Sequence, residues 1–239
     1  MDEKYFKYMK PYVAKIVLNY KNIRFTSPLR FNDPYDAHPP YNLKNNDIED
    51  RIIRRTLTIL ADDLLILSLS NTNDNLMMWG HYTDCHKGIV IEFNPNAEIL
   101  KYATKVNYTN STLTLENINK EYFKSNKFVK DIEIIFTTKY KCWEYENEKR
   151  VLIDKPTKIN FLKDKITNKE IENLEKQEYI DIPFTPNDIK TIYLGFKIDP
   201  NDEQELINII KTQYPHIHTI YKSRLSETEY KIIFDSIKI

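Results

Sequence analysis

Apolar residues recur at helical spacing early in the chain. Val13, Ile16, Val17 and Leu18 follow Pro11, which suits the first turn of a helix, and they predict a helix to about Tyr20. Ile48, Ile52, Ile53, Leu57 and Leu60 predict a second, capped by Asp47, with Arg51, Arg54 and Arg55 outside or partly outside. Further helices are predicted at Leu76 to Tyr82, near Leu115 to Lys127, at Lys163 to Glu178 and at Asn201 to Thr212. Short apolar or alternating runs predict strands at Ile23 to Thr26, Leu64 to Ser70, Ile89 to Phe93, Tyr179 to Phe184, Thr191 to Lys197, His216 to Tyr221 and Tyr230 to Phe234. Ala103 to Tyr108 and Phe128 to Tyr140 flank the charged helical segment. Between Ser27 and Tyr41, Phe31-Asn32-Asp33-Pro34-Tyr35-Asp36 predicts an ordered loop, because Asn and Asp bond to nearby backbone and Pro fixes the turn. Strands and helices mix without regular alternation. We therefore expect an α+β fold with a mostly antiparallel or split β-sheet and peripheral helices, as a single domain over residues 1–239.

Charge is concentrated in Trp143-Glu144-Tyr145-Glu146-Asn147-Glu148-Lys149-Arg150, which runs into Val151-Leu152-Ile153. As a strand, this stretch puts Glu144, Glu146, Glu148 and Arg150 on one face and Trp143, Tyr145 and Val151 on the other. Like charges so close resist ionising together unless a cation or ligand compensates them. The stretch is either part of a site or a charged edge strand, or a helix start with Glu144 and Glu148 one turn apart. Ser68 and Ser70 share one side of their strand, opposite Leu67 and Leu69. Asn32, Asp33 and Asp36 read first as turn builders, and Trp79, beside Met77 and Met78, as a core anchor.

Composition narrows the function classes. Hydrophobic residues make up 41% of the chain, with 17 Tyr and 11 Phe, which argues against general disorder. Lys plus Arg (35) balances Asp plus Glu (35), so no net field attracts nucleic acid or an anionic membrane, although a local basic patch is left open. Charges near the start occupy the place of a signal peptide's apolar stretch, and no run approaches membrane-spanning length; we expect a cytoplasmic protein with no membrane partner. Cys85 and Cys142 make no disulfide framework. His81 and His86 flank Asp84 and Cys85 but lack a remote partner motif, so no metal is expected. Gly80, Gly88 and Gly195 are the only glycines, and no glycine-rich loop can cradle a phosphate.

Taken in order, Lys7-Tyr8, the Phe31 to Asp36 phrase, Ser68-Leu69-Ser70, Met78-Trp79-Gly80-His81-Tyr82, His86-Lys87-Gly88-Ile89-Val90-Ile91 and Trp143 to Arg150 closely resemble the bacterial domain-of-unknown-function family 2971. That family looks like a distant relative of the ADP-ribosyltransferase superfamily. The resemblance implies an ADP-ribosyltransferase-like fold and an enzyme that uses NAD as a substrate to modify a macromolecular acceptor, protein or nucleic acid, in bacterial conflict or phage defence. Glu146-Asn147-Glu148 has the Glu-any-Glu form of one branch, which implies catalytic roles for Glu148, at the ribosyl cation, and Glu146, at the acceptor. Lys7 and Tyr8 stand where that superfamily carries Arg or His, and Ser68 and Ser70 fall in its mid-chain motif. By chemical type, Trp79 or Tyr82 would stack on nicotinamide, His81 falls in the same cofactor-binding group, and Arg24, Arg30 or Lys7 would meet the pyrophosphate. Two alternatives stand beside this. One is a nucleic-acid-binding or metal-dependent nucleic-acid-cleaving protein, suggested by Arg51 to Arg55 and the many aromatics. The other is a noncatalytic interaction module.

Overall fold

Pro11 opens α1 (Pro11–Tyr20) directly after β1 (Phe6–Met9), and Lys21 closes it in the left-handed conformation before β2 (Asn22–Thr26). The computed structural model describes residues 3–36, 40–43, 47–115, 122–154 and 178–239, without the side chains of 41–50, 115 and 123. Next come β3 (Tyr41–Leu43), α2 (Asp47–Asp63), β4 (Leu65–Ser70), α3 (Leu76–Tyr82) and β5 (Ile89–Phe93). The middle of the chain carries β6 (Thr104–Lys105), β7 (Asn107–Thr109), β8 (Leu113–Leu115), α4 (Asn126–Phe136), β9 (Thr138–Tyr140) and β10 (Glu148–Ile153). The last part carries β11 (Tyr179–Pro183), β12 (Ile189–Leu194), α5 (Pro200–Gln213), β13 (Thr219–Leu225) and β14 (Ile232–Lys238).

Among the described residues, ten strands join in one sheet with the path β11-β2-β4-β1-β5-β12-β13-β14, and β10 pairs with β4 and β6. Every pairing in it is antiparallel except β12 with β13, which α5 connects. The fold is thus α+β with a mixed, mostly antiparallel sheet. Alternation along the central strands assigns the two faces. Leu65, Leu67, Leu69, Ile89, Ile91 and Phe93 pack with Ala14 and Leu18 of α1 and Leu206 and Ile210 of α5. On the other face, Ile66 packs with Ile53, Leu57 and Phe136 of α2 and α4, and Val90 packs with Phe6, Tyr8 and Trp79.

One interruption in this sheet positions the site. β10 covers one edge of β4 along its whole length, from Leu65↔Ile153 to Ser70↔Glu148. The other edge of β4 is shared: β2 pairs with it only at Thr26↔Ile66, and β1 only at Phe6↔Ser70. Beyond those points β1 follows β5 and β2 follows β11, so the sheet splits beside Ser68.

Several expectations are corrected in detail. Ile16 and Ile52 are half-exposed, because Ala14, Val17 and Leu18 in α1, and Ile53, Leu57 and Ala61 in α2, already fill the inward stripes. Phe128 to Tyr140, read as a flank, is mostly α4: Ser125 caps it, and Phe128, Ile132, Ile135 and Phe136 recur on one helical face. Within the expected Leu115 to Lys127 helix, Tyr122–Lys124 form a 3₁₀ turn and residues 116–121 lie outside the described residues. Most of the expected helix from Lys163 to Glu178 lies there too.

Candidate functional site

The split opens into a cavity of about 300 Å³. Lys7 and Tyr8 from β1, Ser68 and Ser70 from β4, Tyr82 from α3, Glu146 from the segment before β10 and Glu148 at the start of β10 all line it. Lys7 bridges the gap, its ammonium donating to the Ser68 carbonyl at 2.8 Å. Tyr8 donates to the Thr72 carbonyl at 2.9 Å. Ser70 donates to the Glu146 carbonyl at 2.7 Å, so the mid-chain serine pair and the acidic segment are tied together. Arg24 and Arg30 also line the cavity, from positions where their side chains reach solvent. Arg24 pairs with Asp181 through two hydrogen bonds of 2.7 and 2.8 Å, and Arg30 pairs with Glu178.

Trp79 and His81 are placed elsewhere. Trp79 is fully buried, donates to the Asn73 carbonyl at 2.6 Å and meets Tyr8 edge to face, while its neighbour Met78 lines the cavity. His81 is exposed, beside Tyr82 and Tyr145. Among the described residues no group of three His, Cys, Asp or Glu is placed to hold a metal, and no helix is long and apolar enough to cross a membrane.

The acidic stretch is not one strand, which corrects the alternating-face expectation and the helix-start alternative. Lys141–Glu146 is a 3₁₀ turn, Asn147 is left-handed at φ 45°, and β10 begins only at Glu148. Asn tolerates that conformation better than most residues with a side chain, and here it joins the 3₁₀ turn to the strand between the two acids. Glu144 is left exposed, while Glu146 and Glu148 are buried.

Lys139 and Arg150 compensate the buried acids. The Lys139 ammonium lies 2.6 Å from Glu146, 3.3 Å from Glu148 and 3.5 Å from Asp36. Arg150 donates to Glu148 through Nε at 2.8 Å and Nη2 at 3.0 Å, to the Phe136 carbonyl at 2.8 Å, and to Asp36. Tyr82 donates its hydroxyl to Glu146, and the Tyr108 hydroxyl accepts from the Glu148 amide at 2.7 Å. Asp36, Tyr108, Lys139 and Arg150 are the members to which the sequence reading gave no site role. Arg150 carried one signal, its alternation with Glu148. Asp36 reads as a turn residue, and nothing around Lys139 distinguishes it from other lysines.

These surroundings separate the proton affinities of the two acids. Burial raises Glu148, but Arg150 and Lys139, with a hydrogen bond from Ser68, outweigh it and hold its pKa at about 2. At Glu146 burial wins, and its pKa is raised from the ordinary value despite Lys139. Burial pulls Lys7 down to about 8, opposed by Glu148 and Glu146. The cleft therefore sets a carboxylate of lowered proton affinity beside one of raised proton affinity, with an amine whose pKa is lowered to about 8.

No curated protein and no solved structure matches the chain. Residues 78–151, a stretch from α3 to β10 that holds Tyr82, Lys139, Glu146, Glu148 and Arg150, match the family described as Protein of unknown function (DUF2971).

Proposed function

We propose that this protein is an ADP-ribosyltransferase-like enzyme that uses NAD to modify a macromolecular acceptor. One observation carries the reading: Lys7-Tyr8, Ser68-Ser70 and Glu146-Glu148, far apart in the chain, line one cleft at a split in the sheet. A cavity of about 300 Å³ suits the nicotinamide riboside portion of NAD, and Arg24 and Arg30, which also line it, would meet the pyrophosphate by exchanging their exposed carboxylate partners. Cleavage of the bond between nicotinamide and ribose develops positive charge on the sugar. Glu148, held ionised and fixed in orientation, stabilises that charge without reorganising. Glu146 orients the acceptor and takes its proton, consistent with its raised proton affinity and its contact with Tyr82. A magnesium site held by the acids is the weaker reading, because among the described residues no group of three His, Cys, Asp or Glu is placed to hold a metal.

Calorimetry with NAD and an assay of nicotinamide release test the proposal. We expect binding in the parent protein, and a drop in turnover of about 10²-fold or more in Glu148→Gln. A parent that neither binds NAD nor releases nicotinamide with protein, RNA or DNA offered as acceptor would sink it.

A further inference from the structure

A second cavity, of about 340 Å³, lies beyond Lys139, which lines both. It is lined at the end of the parallel β7–β9 pair, where Thr109 stands opposite Tyr140, by the following Asn110 and Ser111, and by Tyr35 and Pro40. The size is within the range of ligand sites. Thr138 is 4% exposed and lines the cavity, and its hydroxyl has no hydrogen-bond partner among the described residues. Buried hydroxyls are rarely left unpaired, so Thr138 offers an open hydrogen-bonding position to a polar atom that enters the cavity.

The wall chemistry selects the ligand. Among the described residues, its polar side chains other than Lys139 are hydroxyls and the Asn110 carboxamide, and none is a carboxylate. A guanidinium or ammonium finds no counter-charge among them. An anion gains little from Lys139, whose ammonium is engaged by Glu146, Glu148 and Asp36. Tyr35 and Tyr140, each about half-exposed, line the cavity with aromatic surface. The fit is to a neutral, flat group rich in hydrogen-bonding atoms.

We propose that this cavity binds a nucleobase of a single-stranded nucleic acid, and that this base is the acceptor of the transferase. The second half rests on the reading under Proposed function. In that step a base nitrogen attacks C1′ of the ribose. The bond from C1′ to nicotinamide breaks and its electron pair leaves with neutral nicotinamide. The new bond joins C1′ to the base, and the proton of the base nitrogen passes to Glu146, which contacts the lysine between the two cavities.

The test separates the two halves. Short RNA and DNA homopolymers of each base are titrated against the full chain by fluorescence anisotropy, with free nucleosides as competitors. The parent should bind and prefer one base. Tyr140→Ala, Asn110→Ala and the near-isosteric Thr138→Val should each weaken binding about tenfold, the worth of one stacking or hydrogen-bond contact. Nicotinamide release into water should persist in these variants while transfer of label from NAD to the oligonucleotide falls. Absent binding, or binding indifferent to all three substitutions and to nucleosides, overturns the base site. Label on protein alone overturns the acceptor role. Base binding without any NAD binding instead overturns the transferase reading and leaves the cavity assignment standing.

Discussion

Glu146 and Glu148 lie in different elements, yet their carboxylates meet on one ammonium, with Lys139 Nζ 2.6 Å from Glu146 and 3.3 Å from Glu148. The left-handed residue between them makes this possible. On one continuous strand the two side chains would run side by side; here they converge from a turn and a strand end. Three buried acids and two buried cations then form one network, whose stability and pH response follow from its charges.

Lys139→Met removes the cation that touches all three acids and leaves an uncompensated buried charge. We expect a loss of about 3–5 kcal/mol in urea unfolding. A loss below about 1 kcal/mol, the range of exposed pairs, would contradict the network.

Asn147→Gly should preserve fold and ligand binding, since glycine accepts φ 45° freely. Asn147→Val should cost about 1–2 kcal/mol in the same measurement, because a branched side chain opposes left-handed backbone. Under the proposed function it should also weaken NAD binding by disturbing the approach of Glu146 to Glu148. Equal behaviour of the two variants would mean that the conformation at Asn147 is unimportant.

Lys7 makes stability depend on alkaline pH. Burial lowers its pKa from 10.5 to about 8, so between these values the unfolded chain binds more protons than the folded one. Its contribution to stability therefore rises from about pH 8 to about 10.5, and the slope should flatten in Lys7→Met. Urea titrations across this window check the sign.

Glu148 acts on the acid side with the usual carboxylate sign. Its stabilisation is complete above the ordinary value of 4.5 and is lost as pH falls toward about 2. Glu146, raised instead of lowered, opposes it just above 4.5. Acid unfolding of Glu148→Gln should be less steep than that of the parent, and an unchanged profile would contradict the pairing with Arg150.

Gly195→Ala tests a close backbone contact. An added Cβ would stand 2.1 Å from the His86 carbonyl oxygen, next to three consecutive left-handed residues, Asp84, Cys85 and His86. Because the obstruction is backbone, we expect destabilisation by about 1–3 kcal/mol, the range for overpacking. Thermal melting within about 1 °C of the parent would show that the turn shifts at little cost.

Local periodicity was sufficient for most individual elements. Leu76 to Tyr82 and Ile89 to Phe93 have the bounds expected from their apolar spacing, and the strand near Ser68 carries its serines on the side opposite Leu67 and Leu69. Alternation is a property of a single strand, so one sequence suffices to read it. What covers each face is a property of several strands together. That is why Ile16 and Ile52 fit an apolar stripe on paper and face solvent in the fold, and why the divergence of β1 and β2 from β4 is invisible along the chain. The same holds for charge: Asp36 meets Arg150 across 114 positions, and Lys139 gains its role only where a helix end, a loop and a turn converge. The sequence determined which residues carry charge and which segments become strands or helices. Only the tertiary structure decided which charges share a cavity, because Coulomb interaction and desolvation depend on distance through space.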